Sequence, residues 1–200
     1  NGGRLMQPYV VERITAPDGQ VLHQAEPTVR RQVISDQTSQ TMRSLMEGVV
    51  TGGTGKNGAV AGYRVGGKTG TSQKLDSDDP AARIASFVAV APIDAPRIAV
   101  LVCLDEPHSW TTSGGALAGP VCAQVLEQAL PYLGVEPSYT PKEKEKLFAA
   151  VPDVTGWRTA AAAVKLQEFG LEAALVGEGE RVTSQYPAAG ITARRGSSIT

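Results

Sequence analysis

The stretch GYRVGGKTGTSQ, Gly62 to Gln73, decides the fold, because it can be parsed in two ways. From its start, Gly62 to Thr69 fits G-x-x-x-x-G-K-[ST], the loop whose amides cradle phosphate. From its middle, Arg64 to Gln73 reads as an extended strand with Lys68 at its centre. A phosphate loop needs a buried strand before it and a helix beginning at Lys68-Thr69. The residues after Lys68-Thr69 are GTSQKLDSDDP, without helical periodicity, and Tyr63, Arg64 and Val65 suit a strand better than a tight anion nest. LVCLDE, Leu101 to Glu106, imitates the acidic strand end that accompanies such loops. It comes after a link of only five residues, Pro92 to Pro96, which permits an antiparallel pair and not a parallel one. The strand reading is the better one, and no nucleotide is expected at Lys68.

As a strand, the stretch has usable chemistry. Alternation sends Lys68 and Gly70 to one side and Thr69 and Thr71 to the other. On a sheet edge, the outward backbone groups can pair with an extended peptide. Gly70 lets another backbone come close. Lys68 offers positive charge to a carboxylate or a proton relay, and Thr69 and Thr71 offer hydroxyls. A backbone N–H on such an edge can form half of an oxyanion hole.

Working outward, residues 8–26 read as a hairpin, PYVVERI and QVLHQAE, turning at Ala16-Pro17-Asp18-Gly19. A helix comes next with Ser35 as N-cap; Met42, Leu45, Met46, Val49 and Val50 form its apolar face, and the Gly-rich Thr51 to Gly58 ends it. After the quoted strand, ARIASFVAVA and RIAVLVCL form an antiparallel pair, apolar on both faces and so expected to be covered on both. A second helix spans about 116–133, with Pro120 in its first turn and Gly134 at its C-cap. Its expected buried stripe is Leu117, Val121, Val125, Leu126, Ala129, Leu130 and Leu133. Residues 135–150, with the alternating KEKEK, read as a solvated linker. Beyond it, 151–200 holds a short Ala-rich helix at 159–169 and strand-like segments near 172–177, 181–186 and 197–200. The expected fold class is α+β, an antiparallel sheet flanked by helices over 1–134, with a small αβ unit after it.

Composition excludes several partners. Nineteen basic and 20 acidic residues nearly cancel, so no global field draws nucleic acid or an anionic membrane. The longest apolar run, Ile98 to Leu104, is far too short to cross a bilayer. Asn1-Gly2-Gly3 in place of a Met, and an end in mid-strand at Ser198-Ile199-Thr200, read as those of a fragment. Cys103 and Cys122 read as small buried hydrophobes, a disulfide being the other reading; their spacing fits no metal or redox motif.

K-T-G alone is a weak motif, but its surroundings add to it. A helix, a Gly-rich loop, GYRVGGKTGTSQ, SFVAVAP, a strand ending in Asp-Glu-Pro and a helix occur in that order. Over residues 1–134 this resembles the C-terminal half of the transpeptidase domain of class B penicillin-binding proteins. VPDVTGW, the short helix, Gln185-x-Pro187-x-x-Gly190 and ARRGSS resemble a PASTA repeat with its last strand cut short. The resemblance implies a serine D,D-transpeptidase that cross-links peptidoglycan stem peptides and is acylated by β-lactams, on the extracytoplasmic face of a bacterial membrane. It implies Lys68 and Thr71 as catalytic residues and Thr69, Gly70, Thr71 and Ser72 as substrate-binding ones, with no metal and no cofactor. The family's S-x-x-K serine and S-x-N element are missing: no serine here has Lys three positions on or Asn two positions on. Thr71-Ser72-Gln73-Lys74 only imitates the former. The implied nucleophile therefore belongs to an upstream part of the same protein, and this chain alone should be inactive. The competing readings are a D,D-carboxypeptidase or β-lactamase-like hydrolase, and a muropeptide-binding module acting through 151–200.

Overall fold

Residues 4–32 form two nested antiparallel ribbons. The inner one pairs β2 (Arg13–Thr15) with β3 (Val21–Gln24), and the outer one pairs β1 (Arg4–Met6) with β4 (Val29–Gln32). The computed structural model describes residues 1–200. The inner turn is the expected one: Gly19, at φ 88°, donates its N–H to Ala16 O, and Asp18 Oδ1 accepts from the Gln20 N–H. The strands are shorter than expected, and Tyr9, Val10 and Val11 are exposed outside the ladder. The outer ribbon was not foreseen, since RLM and VRRQ carry no apolar alternation.

α1 (Asp36–Thr51) is capped by Ser35, whose side chain accepts from the Thr38 N–H. Its buried side is narrower than the expected stripe. Val50 is buried and Met46 and Val49 are half-buried, but Met42 and Leu45 are exposed. A Gly-rich loop with a 3-10 turn at Lys56–Gly58 leads to the three-stranded sheet. β5 (Gly66–Gln73), β6 (Arg83–Ala91) and β7 (Ile98–Asp105) run antiparallel in that order, so β5 is an edge. The register sets Lys68 opposite Val88 and Gly70 opposite Ser86.

One face of this sheet carries the core. Phe87, fully buried, is surrounded by Val50, Val65, Ala89 and the inner side of α2 (Gly114–Tyr132). A Cβ added at Gly58 or Gly67 would come to 2.5 Å from the Phe87 ring, and one at Gly55 to 3.0 Å. Gly67 of the phosphate-loop look-alike, with Gly55 and Gly58 of the preceding loop, therefore makes room for an aromatic side chain. The other face is less covered than expected: Leu101 and Cys103 on β7 are exposed. Cys103 is thus not a buried hydrophobe. Cys122 is one, its thiol pushed up by burial, and both cysteines are free.

α2 starts two residues earlier than expected, which leaves Pro120 inside it rather than in its first turn. Pro120 cannot donate to the Ala116 carbonyl, so the ladder lacks one bond there. The buried stripe is also rotated: Ala118, Cys122, Leu126 and Leu130 face the sheet, while Val121 and Val125 face out. Gln124, Glu127 and Gln128, three and four residues apart and all exposed, mark the solvent face, and Val121 and Val125 lie beside it. Gly134, at φ 72°, closes the helix, with the Val135 N–H donating to Leu130 O.

Contacts divide the chain into two units, Asn1–Pro137 and Ser138–Thr200. The second overturns part of the linker reading. α3 (Pro141–Leu147) has a full capping box between Thr140 and Glu143, and β8 (Phe148–Ala150) pairs with β10 (Thr192–Arg194). KEKEK is therefore an exposed helix surface, which charge alternation alone does not separate from a coil. α4 (Thr159–Glu168) packs Ala162 and Leu166 against Val151, Val154, Leu171 and Ile199. β9 (Glu172–Ala173) runs parallel to β11 (Ser198–Ile199). The expected strand at 181–186 is absent apart from one bridge, Arg158 to Arg181. Gln185 instead holds the unit together, accepting from the Val154 N–H at 2.8 Å and donating to Pro152 O at 3.1 Å.

Candidate active-site strand

The open edge of β5 is fixed by one hydrogen bond. The Lys74 N–H donates to Ala82 O at 3.1 Å, continuing the β5–β6 ladder past Gln73. Antiparallel backbone groups alternate, so those of Lys68, Gly70 and Ser72 point inward to β6. Those of Thr69, Thr71 and Gln73 point to the free edge.

Side chains alternate in the perpendicular sense, as expected. Lys68, Gly70 and Ser72 share the less-covered face with Val88, Ser86 and Ile84. Lys68 is exposed, and its ammonium donates at 2.7 Å to Thr69 O, which brings positive charge to the edge itself. A Cβ at Gly70 would collide with Ser86 Oγ, so this glycine answers a neighbour inside the sheet as well as the edge. Ser72 is exposed near the strand end.

Thr69 and Thr71 lie on the core side, near the start of α2. The Thr69 and Thr54 hydroxyls are 3.2 Å apart, and Thr71 Oγ1 accepts from the Gly114 N–H at 3.2 Å. These partners, Thr54 and Gly114, were not singled out from the sequence. Gly114-Gly115 at a helix start was the available signal. A second unforeseen feature is a charge cluster at the strand exit. Lys74 pairs with Asp105 at 2.9 Å and Glu106 at 3.3 Å, and hydrogen bonding to Asp105 first of all holds its ammonium pKa above the ordinary value. Glu106 sits at φ 46°, a left-handed conformation unusual for a residue with a side chain.

Lys68 and Thr69 lie in mid-strand and no helix begins there, so the backbone lacks the geometry of a phosphate loop. No group of three or more acidic, His or Cys side chains is arranged to hold a metal ion. No helix is long and apolar enough to cross a membrane. The second unit contains a cavity of about 720 Å³, lined in part by Leu166, Val182, Tyr186 and Ile199.

The K-T-G edge strand, antiparallel to its neighbour and covered on one face by α2, lies within a match that spans more than half of the chain, and the chain belongs to the penicillin binding protein transpeptidase family. Residues 1–127 match the penicillin binding protein transpeptidase domain, and residues 149–200 match the PASTA domain. Stage V sporulation protein D of Bacillus subtilis is 36% identical over all of the chain. A probable peptidoglycan D,D-transpeptidase of Neisseria flavescens is 39% identical over 60% of it. The chain spans 32% of the length of each of these relatives. Among solved structures, a ceftriaxone acyl-enzyme of penicillin-binding protein A from M. tuberculosis matches 65% of the chain, and 29% of that protein, at 32% identity and TM-score 0.60. An ampicillin complex of penicillin-binding protein 3 from the same organism matches 70% of the chain, and 34% of that protein, at 29% identity and TM-score 0.60.

Proposed function

We propose that this chain is the part of a peptidoglycan D,D-transpeptidase that supplies the K-T-G wall of the active site. The observation that carries the reading is the open edge of β5, with Lys68 ammonium, Thr69 carbonyl and Thr71 N–H side by side. An extended stem peptide would add to this edge as a further strand. The nucleophilic serine would come from another part of the full-length protein. It would attack the peptide carbonyl between the terminal D-Ala residues and release D-Ala; the acyl group would then pass to an amine of a second stem peptide. Lys68 would support the proton relay and attract the substrate carboxylate. Thr69, Gly70, Thr71 and Ser72 would bind the peptide, and the Thr71 N–H would stabilise the tetrahedral oxyanion. β-Lactams would acylate the same serine. The protein would work on the outer face of the bacterial membrane, where its substrate is.

In the full-length protein, Lys68→Ala should slow acylation by a fluorescent penicillin roughly 100- to 1,000-fold, the usual cost of one charged transition-state contact. Melting should be unchanged, since Lys68 is exposed. A parent-like rate would reduce Lys68 to a surface lysine and end the assignment. The 200-residue chain alone should gain no β-lactam mass by intact-protein mass spectrometry; an adduct would place the nucleophile within it. The cavity of the second unit keeps a muropeptide-binding role as the second reading. Pull-down on purified peptidoglycan, with and without 151–200, separates it from the first.

A further inference from the structure

We infer that Gly114, outside the K-T-G motif, is a positioning residue that sets the Thr71 hydroxyl as a hydrogen-bond donor toward a substrate carboxylate. The inference rests on β5 being the substrate strand. A Cβ at Gly114 would collide with the carbonyl oxygens of Ser86 and Gly70, and one at Gly115 with Thr54 O. The start of α2 therefore lies closer to the backbones of β5 and β6 than any other residue pair would allow. Both glycines are buried, so this approach is part of the packing.

The close approach gives one polar contact with a defined sense. Gly114 is the first residue of α2, and its N–H has no partner within the helix. It donates to Thr71 Oγ1 at 3.2 Å. An N–H cannot accept, so Thr71 Oγ1 must be the acceptor here, and its own hydrogen stays available. Thr71 is exposed, so that hydrogen is accessible to a group bound along the strand. The Ser113 side chain makes no capping bond, and Thr111 Oγ1 accepts from the Ser113 N–H instead of the Gly114 N–H. The positive end of a 19-residue helix also polarises Oγ1 toward donation. Such a hydroxyl favours a carboxylate over an ester or carboxamide at the same place. Lys68 supplies charge from the other face of the strand without this directional choice. Selectivity for a free carboxylate is thus divided between an exposed ammonium and a hydroxyl oriented by the helix.

Gly114→Ala would test this only by forcing the helix away. The cleaner change is an ester in place of the peptide bond preceding Gly114, which removes the N–H and adds no Cβ. In the full-length protein, the readout is the ratio of acylation rates for a penicillin and its methyl ester. A purely structural effect lowers both rates and leaves the ratio alone. The backbone ester should lower the ratio roughly tenfold, the scale of a hydrogen bond to a charged group. Thr71→Val should lower it at least as far, Thr71→Ser should keep it, and the backbone ester combined with Thr71→Val should fall no further than Thr71→Val alone. A parent ratio in the backbone ester overturns the role of Gly114. A parent ratio in Thr71→Val as well removes Thr71 from carboxylate recognition, a failure of the underlying reading. A check without turnover uses the 15N-labelled chain. Gly114 amide exchange should be roughly tenfold faster in Thr71→Val than in Thr71→Ser, because the hydroxyl is its acceptor; equal exchange overturns the inference.

Discussion

At the open edge of β5, the bond from the Lys68 ammonium to Thr69 O occupies an acceptor that an incoming peptide would need. A carbonyl oxygen has two lone pairs, so under the proposed function an added strand would share Thr69 O with the ammonium, which would be held beside the bound peptide. Thr69 is different, since its hydroxyl already lies 3.2 Å from that of Thr54 in a half-buried position. Thr69→Val keeps the branched shape and removes one neutral partner. It should slow acylation of the full-length protein by about tenfold or less, far below the effect of Lys68→Ala. Stopped-flow acylation of both variants tests the order, and a larger loss for Thr69→Val would reverse the roles. The face of each residue was legible from alternation alone. Their partners were not: Thr54 is 15 positions and Gly114 43 positions from the threonine it meets, and one sequence carries no signal for such pairs.

Between elements, α1 is tied to the segment entering β5 by Glu47 and Arg64. The guanidinium grips the carboxylate with two bonds of 2.7 Å, from Nε to one oxygen and from an Nη to the other. Hydrogen bonding to Arg64, the larger cause, holds the Glu47 carboxyl below its ordinary 4.5. A depressed carboxylate pKa stabilises the fold above the ordinary value, and that stability is lost as pH falls through the lower folded value. Glu47→Gln should thus melt about 1–3 °C below the parent at pH 7, an exposed pair being weak. The gap should narrow from about pH 4.5 downward and close in stronger acid. Calorimetry across that range checks it, and a gap that widens in acid would contradict the pairing. Elements themselves were mostly readable, as the Ser35 cap, the Gly134 stop and the β6–β7 hairpin show. The phase of α2 is legible as well, because Gln124, Glu127 and Gln128 share one exposed face opposite Cys122, Leu126 and Leu130; the expected stripe strayed from it by counting Val121 and Val125.

Across the whole molecule, the two units have separate cores, one around Phe87 and one around Leu166. The residues joining them, Gly134 to Thr140, lie outside every helix and strand. Limited proteolysis should cut there first and release two resistant pieces, whereas α3 and β8 should survive with the second. First cleavage inside β6 or β7 would show that the sheet is not the stable centre. The sequence by itself determined the choice between a phosphate loop and a strand, since the residues after Lys68 have no helical period and the next two strands are joined too tightly to run parallel. It also determined the α+β class and the family, through motif order. Only the tertiary structure decided which glycines serve the site and which serve the core. Gly58 and Gly67 clear space for the Phe87 ring, and Gly114 brings the helix start onto Thr71. The physical reason is that a glycine records only the absence of a side chain, and what fills the resulting space comes from a distant part of the chain.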